Sequence, residues 1–504
     1  MQRHWFSWLL STLLLLLAGP ALATTTVTSY VILGEKGHQL KGETVPLLRL
    51  ILDKADEGKE DPCQALTLTG SGQRKLVTPL IRRTNPNPKS YPITVCEAVL
   101  PFADRYDAAG EAWQLAGSGK KGGAASQTVT LPTVVRQPEQ LFIVGDSGCR
   151  DRAGVQTCED GSWPFAQRIP HDIASQIRQQ GTGAVIIHTG DVKYRGGKDD
   201  SDKAGLSWRN WQQEFFSPAA PLLAMAPWVI ARGNHELCNS YGRNGPGWFY
   251  LFDPASSLLG DSKELLQQHR CQGQEETLTT PYRLDFGHRF SLVMIDSSSV
   301  QERNIDKKQA QQLTDWLTTL GHHLVDKQSP QQVWLITHKP IWAVAQQKKA
   351  TVSNLTEQQA VQQLPHHALP ESVRLVLSGH KHFFSMVEFE PSRKPRHPLA
   401  LVVGNSGVGL NCDGYNGHHK ELQASIRTMN AFGYVSAQLV TSKGEVSGWR
   451  LQVQGYDWQG NGQMAAHATP AASCSEPSSE ARCSISKPAL FPSAQCGRDE
   501  DDDE

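Results

Sequence analysis

Apolar positions in this chain follow two rhythms. Up to residue 137 they form short, β-branched-rich runs such as TTTVTSYVILG, ALTLTG and YPITVCEAVL, bounded by Gly and Pro, which predicts an all-β segment. From QLFIVGDSG onward, strand-like runs alternate with amphipathic stretches. LFIV (141–144), AVII (184–187), WVIA (228–231), VWLI (333–336) and VRLVL (373–377) read as buried strands. DIASQIRQQG reads as a helix closed by Gly181. KKQAQQLTDWLTTLG reads as a second helix, with Leu313, Trp316, Leu317 and Leu320 on one face and its stop at Gly321. YRLDFG followed by RFSLVMIDS predicts an antiparallel hairpin, as do GYVSAQLV and GEVSGWRLQVQG. The alternation predicts an α/β (α+β) fold with mixed sheets, preceded by an all-β N-terminal domain.

Composition refines the boundaries. The start of the chain, with Arg3 and His4, an apolar run from Trp5 to Ala18 and then Ala21-Leu22-Ala23, has the form of a secretory signal peptide spanning 1–23. The run is too short for a comfortable membrane span, and no later segment qualifies. A β-rich accessory domain is expected over 24–137. The flexible text GSGKKGGAASQ at 117–127 comes shortly before its end. The α/β domain is expected over 138–461, and a loop-like, cysteine-containing segment with the acidic tail GRDEDDDE over 462–504.

The ten cysteines are even in number and form no CxxC pair, which predicts disulfides and a secreted or periplasmic protein. Local spacing pairs Cys63 with Cys96, Cys149 with Cys158 and, more weakly, Cys238 with Cys271. Cys412, Cys474, Cys483 and Cys496 remain for the C-terminal part. A formal net charge of −1 argues against nucleic acid or an anionic membrane surface as a bulk electrostatic partner. Asn354-Leu355-Thr356 is a glycosylation sequon, meaningful only in a host that modifies exported proteins.

Polar residues fall at telling places. Five apolar strands each run into metal-ligand types: GDSG with Asp146, GDVKY with Asp191 and Tyr194, GNHE with Asn234 and His235, THKP with His338, and GHKH with His380 and His382. Side chains at the carboxyl ends of strands in such a fold converge on one crevice, and carboxylate, amide and imidazole donors suit one or two metal ions. Taken singly, Gly-Asp reads as a turn, HxH as surface or core, and Tyr194 as loop packing. The five together, in order, point to a metal site.

That order resembles the calcineurin-like metallophosphoesterase superfamily, whose pattern is D-x-H, GD, GNH, a lone His and GHxH. Here Gly148 stands where the general family has a histidine, and Tyr194 follows Asp191 by three residues. The coupled change is similar to the purple acid phosphatase branch, in which the tyrosine ligates iron. A phenol needs a strongly Lewis-acidic ion to lose its proton at acidic pH, which Fe(III) satisfies. LITH carries Leu335 where the branch usually has Val.

The resemblance covers residues 139 to 412. It implies a four-layer αββα sandwich, with Asp146, Asp191, Tyr194 and His382 on Fe(III). Asn234, His338 and His380 would hold a divalent metal (Fe, Zn or Mn), and Asp191 would bridge the two ions. It implies hydrolysis of a phosphate monoester on a small phosphorylated substrate, by attack of a metal-bound hydroxide, with His235 contacting phosphate and protonating the leaving oxygen. Glu236 is expected to orient its neighbours. Lys193, Arg195, Arg150 and Arg152 lie beside the motifs as candidates for steering phosphate or as solvated loop residues. A phosphodiesterase of the same fold, acting on nucleotide or lipid head-group diesters, is the alternative within enzymes. A non-catalytic binding protein with a vestigial site is the alternative outside them.

Overall fold

The computed structural model describes residues 26–485, apart from 54–60, 65, 71–79, 118–126, 151–155, 159–162, 196–206, 240–243, 274–276, 288, 325–331, 347–349, 412, 443–444, 457–468 and 477–481. The leader at 1–23, most of the Gly/Lys-rich stretch, Arg152, Cys412, Cys496 and the acidic tail lie outside the described residues.

All five motif-bearing runs form strands, now bounded as Gln140–Val144, Ala184–His188, Trp228–Ile230, Gln332–Ile336 and Val373–Ser378. The first three pair in parallel at the centre of an eleven-stranded sheet. The other two pair in parallel within an eight-stranded sheet, beside Phe290–Met294 and Leu399–Val403. Both expected hairpins form, Tyr282–Asp285 with Phe290–Met294 and Gly433–Ser442 with Glu445–Gly455.

Strand alternation gives each sheet two buried faces. Leu141, Ile143, Val185 and Ile187 of one sheet share a core with Leu292, Trp334, Ile336, Leu375 and Leu377 of the other. The intervening residues face outward: Phe142, Val144 and Ile186 meet Ile173, Ile177, Phe215 and Leu222 of one helical layer. Val293, Val333, Leu335 and Val376 meet Leu313, Leu317, Leu320 and Val361 of the opposite one. The result is a four-layer αββα sandwich. Trp449 closes the middle, with its ring centroid 5.6 Å from Trp334 and 4.9 Å from Phe290.

Helix Ile169–Gln180 ends as expected, on Gly181 in the left-handed region at φ 63°. The second helix does not stop at Gly321 but runs from Lys307 to Leu324. Leu320 and Leu324 are both buried, so the apolar face continues through the glycine for another turn and outweighs its poor helix propensity of about 1 kcal/mol.

The N-terminal segment is β-rich, but its strands do not stand apart. Thr26–Glu35 pairs in parallel with Trp228–Ile230 and antiparallel with Thr44–Leu52, and Thr94–Val99 and Ile81–Arg82 continue the same eleven-stranded sheet. A separate three-stranded sheet comprises Leu66–Gly70, Glu111–Gly117 and Gln127–Leu131. At the far end the loop-like expectation for 462–504 is corrected. Thr469–Glu476 and Arg482–Ile485 are strands that extend the sheet from Glu445–Gly455 and place Cys474 opposite Cys483 in register. Their Ala/Ser-rich text has no apolar alternation, so backbone pairing left no signature.

The three expected disulfides form: Cys63–Cys96, Cys149–Cys158 and Cys238–Cys271. The sequon is buried at both Asn354 and Thr356. The Asn354 side chain accepts from the Glu357 amide and caps helix Leu355–Gln363, which leaves no room for a glycan on the folded chain.

Candidate metal centre

The carboxyl ends of the five strands meet where the two sheets adjoin. Asp146, Asp191 and His380 each take the left-handed backbone region, with φ of 52°, 54° and 69°. Such conformations are uncommon outside glycine and cost of order 1 kcal/mol each; they turn the side chain back toward the crevice. The glycines of the motifs make the space. A Cβ on Gly190 would lie 2.4 Å from His338 Nδ1, one on Gly233 2.0 Å from Asp191 Oδ1, and one on Gly379 2.4 Å from Asp146 Oδ2.

Two groups of donors result. In the first, the Tyr194 hydroxyl lies 3.1 Å from Asp146 Oδ1, 3.1 Å from Asp191 Oδ2 and 2.9 Å from His382 Nε2. One phenolic proton cannot serve three acceptors, so this buried cluster holds more lone pairs than its own protons satisfy. Gly148 is what admits the ring, since a Cβ there would sit 2.8 Å from Tyr194 Cδ2.

In the second group, Asn234 Oδ1 lies 2.8 Å from His338 Nε2 and 2.8 Å from His380 Nδ1. His338 Nδ1 donates to the Thr189 carbonyl over 2.9 Å, which leaves Nε2 as its inward atom. Asp191 Oδ2 faces both groups, 3.3 Å from His338 Nε2 and 3.1 Å from Tyr194. Ligand atoms of Asp191, His338 and His380 all lie within 4.8 Å of one another.

The electrostatics fit a cationic occupant. Burial pushes Asp146 up to about 7, with the charge of Asp191 adding to the effect and His338 opposing it. Burial acts the same way on Asp191, yet His338 and His235 outweigh it and hold Asp191 well below the usual carboxylate range. Burial alone would lower His338, but Asp191 raises it to about 9. That proton faces Asp191 and Asn234, where a metal ion would satisfy the same oxygens. The donor set, two carboxylates, a phenol, an amide and three imidazoles, suits a centre of two metal ions.

His235 and Asn234 are half-buried on the open side. The His235 amide donates to Asp191 Oδ1 over 2.9 Å, and its ring centroid lies 4.2 Å from that of Tyr194. Glu236 ties the loops together as an orienter. Its carboxylate accepts from the amides of Asp191 (3.0 Å), Gly233 (2.9 Å) and Lys193 (3.1 Å).

Lys193 overturns both of its expectations, since it neither reaches the site nor meets solvent. It is fully buried, with Nζ 3.1 Å from Asn244 Oδ1 and 3.9 Å from Glu214 Oε1. Asp191 and Tyr194 turn inward, so Lys193 between them turns outward, where Glu214 supplies its counter-charge. Arg195 is half-buried with its guanidinium 5.8 Å from the Trp163 ring, and Arg150 is half-buried beside the Cys149–Cys158 bridge.

Two buried carboxylates went unread in the sequence. Glu214 accepts from the Tyr194 amide at 2.9 Å and the Arg195 amide at 3.0 Å, and so sets the tyrosine loop. Glu302 lies 3.0 Å from His380 Nε2. Burial opposes its charge, but His380, Lys381 and Lys339 hold it well below the usual carboxylate range.

The calcineurin-like phosphoesterase family model matches residues 141–384, which span every motif named above. The chain is a member of the metallophosphoesterase superfamily. Among solved structures it is similar to the purple acid phosphatase PPD1 from yellow lupin (Lupinus luteus) seeds. The two are 13% identical with a TM-score of 0.56, covering 94% of this chain and 77% of that one. It is also similar to PhoD at 10% identity and a TM-score of 0.50, covering 94% of this chain and 95% of that one. At such identities the likeness is one of fold. No curated protein matches the chain in sequence. As a member of this superfamily the chain is a metal-dependent phosphoester hydrolase acting on a small phosphorylated substrate. No helix among the described residues is long and apolar enough to cross a membrane.

Proposed function

We propose that the chain is an exported acid phosphatase of the purple type, cleaving phosphate monoesters at a centre of one Fe(III) and one divalent ion. The observation that carries this reading is Tyr194. Its hydroxyl faces Asp146, Asp191 and His382, and its ring fills the space that Gly148 leaves open. Asp146, Asp191, Tyr194 and His382 would hold the trivalent ion; Asn234, His338 and His380 would hold the divalent one. Two such ions supply an activated water and neutralise charge on the phosphate.

The remaining work falls to the chain's own groups. His235, on the open side and anchored by its amide to Asp191, would contact the phosphate and give a proton to the departing oxygen. Glu236 and Glu214 keep the Asp191 and Tyr194 loops in place through backbone amides, without touching substrate. Export is supported by the leader-like start of the sequence and by three disulfides, which need an oxidising compartment.

The test is the visible absorption spectrum and metal content of the wild type and of Tyr194→Phe. A violet band that disappears in the variant while iron stays bound is the expected result. A colourless wild type carrying two divalent ions would overturn the iron–tyrosine assignment. Hydrolysis of chromogenic mono- and diesters, run on the same samples, separates the phosphatase from a diesterase.

A further inference from the structure

His380 has two ring nitrogens, and only one of them faces Asn234. Nδ1 lies 2.8 Å from Asn234 Oδ1, while Nε2 lies 3.0 Å from Glu302 Oε2. A carboxylate accepts and does not donate, so Nε2 must carry the proton in this pair and Nδ1 must offer its lone pair inward. We propose that Glu302 is a positioning residue of the centre, fixing His380 in the Nε2–H form so that Nδ1 is presented to the divalent ion. This rests on the two-metal reading above.

Glu302 is itself held from behind. Its carbonyl accepts from the Leu355 amide at 2.8 Å. Thr356 Oγ1 donates to the Asn304 carbonyl at 3.1 Å and accepts from the Asp306 amide at 3.0 Å. Lys339, next to His338, donates from Nζ to the Val300 carbonyl at 2.9 Å. The Asn354-Leu355-Thr356 turn, buried at Asn354 and Thr356, therefore serves as the anchor of the loop that carries Glu302. Mobility in that loop would let the imidazole rotate or exchange tautomer, and metal affinity would fall.

The experiment compares Glu302→Ala, Glu302→Gln and wild type for zinc binding, by competition with a chromogenic chelator on metal-stripped protein. Glu302→Ala is expected to weaken the divalent site about 10- to 100-fold. Glu302→Gln keeps an acceptor oxygen and is expected to stay within about threefold of wild type. Thermal melts of the stripped samples separate a metal defect from a folding defect. Wild-type zinc affinity in a folded Glu302→Ala variant would overturn the role of Glu302 and leave the two-metal reading standing.

Should the alanine variant fail to fold, side-chain nitrogen shifts of stripped wild-type protein decide instead, with His380 assigned against His380→Gln. The Nε2–H form is expected, and the Nδ1–H form would overturn the proposal. A wild type that takes up no divalent ion would overturn the two-metal reading and Glu302's role with it.

Discussion

At the scale of single residues, the centre depends as much on missing side chains as on present ones. Gly148, Gly190, Gly233 and Gly379 each stand where a Cβ would press on a donor or on its neighbour. Gly148 is the most informative. A methyl group there would lie 2.8 Å from Tyr194 Cδ2 and 2.9 Å from both the Tyr194 amide nitrogen and the Val192 carbonyl oxygen, so the ring and its backbone would have to shift together. Gly148→Ala is therefore expected to lower kcat about 100-fold, as a displacement near 1 Å commonly does, and to move the absorption band that the proposed iron–tyrosine pair would give. Steady-state kinetics and a spectrum on the same sample check this.

The donors were legible because each follows an apolar strand directly. Glu302 and Glu214 were not, because their partners lie 78 and 20 residues away and neither sits in a motif. Lys193 was misread for a related reason. Its position beside two donors suggested the site, whereas the turn of the loop sends neighbouring side chains to opposite sides.

At the scale of elements, periodicity located the strands and the main helices but not their ends. Helix Lys307–Leu324 passes through Gly321 because its buried face extends to Leu324, a tertiary fact that local propensity does not contain. The glycine has no positive φ, and a Cβ on it would meet only Pro370 Cγ at an ordinary 3.6 Å. Gly321→Ala is thus expected to stabilise the fold by about 0.5–1 kcal/mol, through helix propensity and a less flexible unfolded chain. A denaturant titration with an unchanged m-value would establish it. The edge strands beyond residue 468 escaped notice for the opposite reason, because small residues paired by backbone alone leave no hydrophobic pattern.

At the scale of the whole molecule, the change in composition between residues 117 and 138 suggested two separate bodies, yet one sheet runs across it. Ile32 pairs with Trp228, and the N-terminal segment grips the region after residue 248. Arg83 donates to the carbonyls of Phe249, Tyr250 and Ala255, and Arg49 donates to that of Asp253 while pairing with Glu97. A chain beginning at residue 138 would expose the edge of Trp228–Ile230 and strip these buried carbonyls of donors, each at about 1–3 kcal/mol. Such a chain is expected to be aggregated or unfolded, and size-exclusion chromatography with circular dichroism would show it.

The same sheet order bears on when the protein can fold. On one side the central strands wait for Thr26–Glu35, whose parallel partner Trp228–Ile230 lies far along the chain. On the other side Ile143 waits for Val435, near the end of the described chain. Closing the eleven-stranded sheet therefore needs strands from both ends of the described chain, and pairings this distant slow assembly and leave sheet edges open for longer.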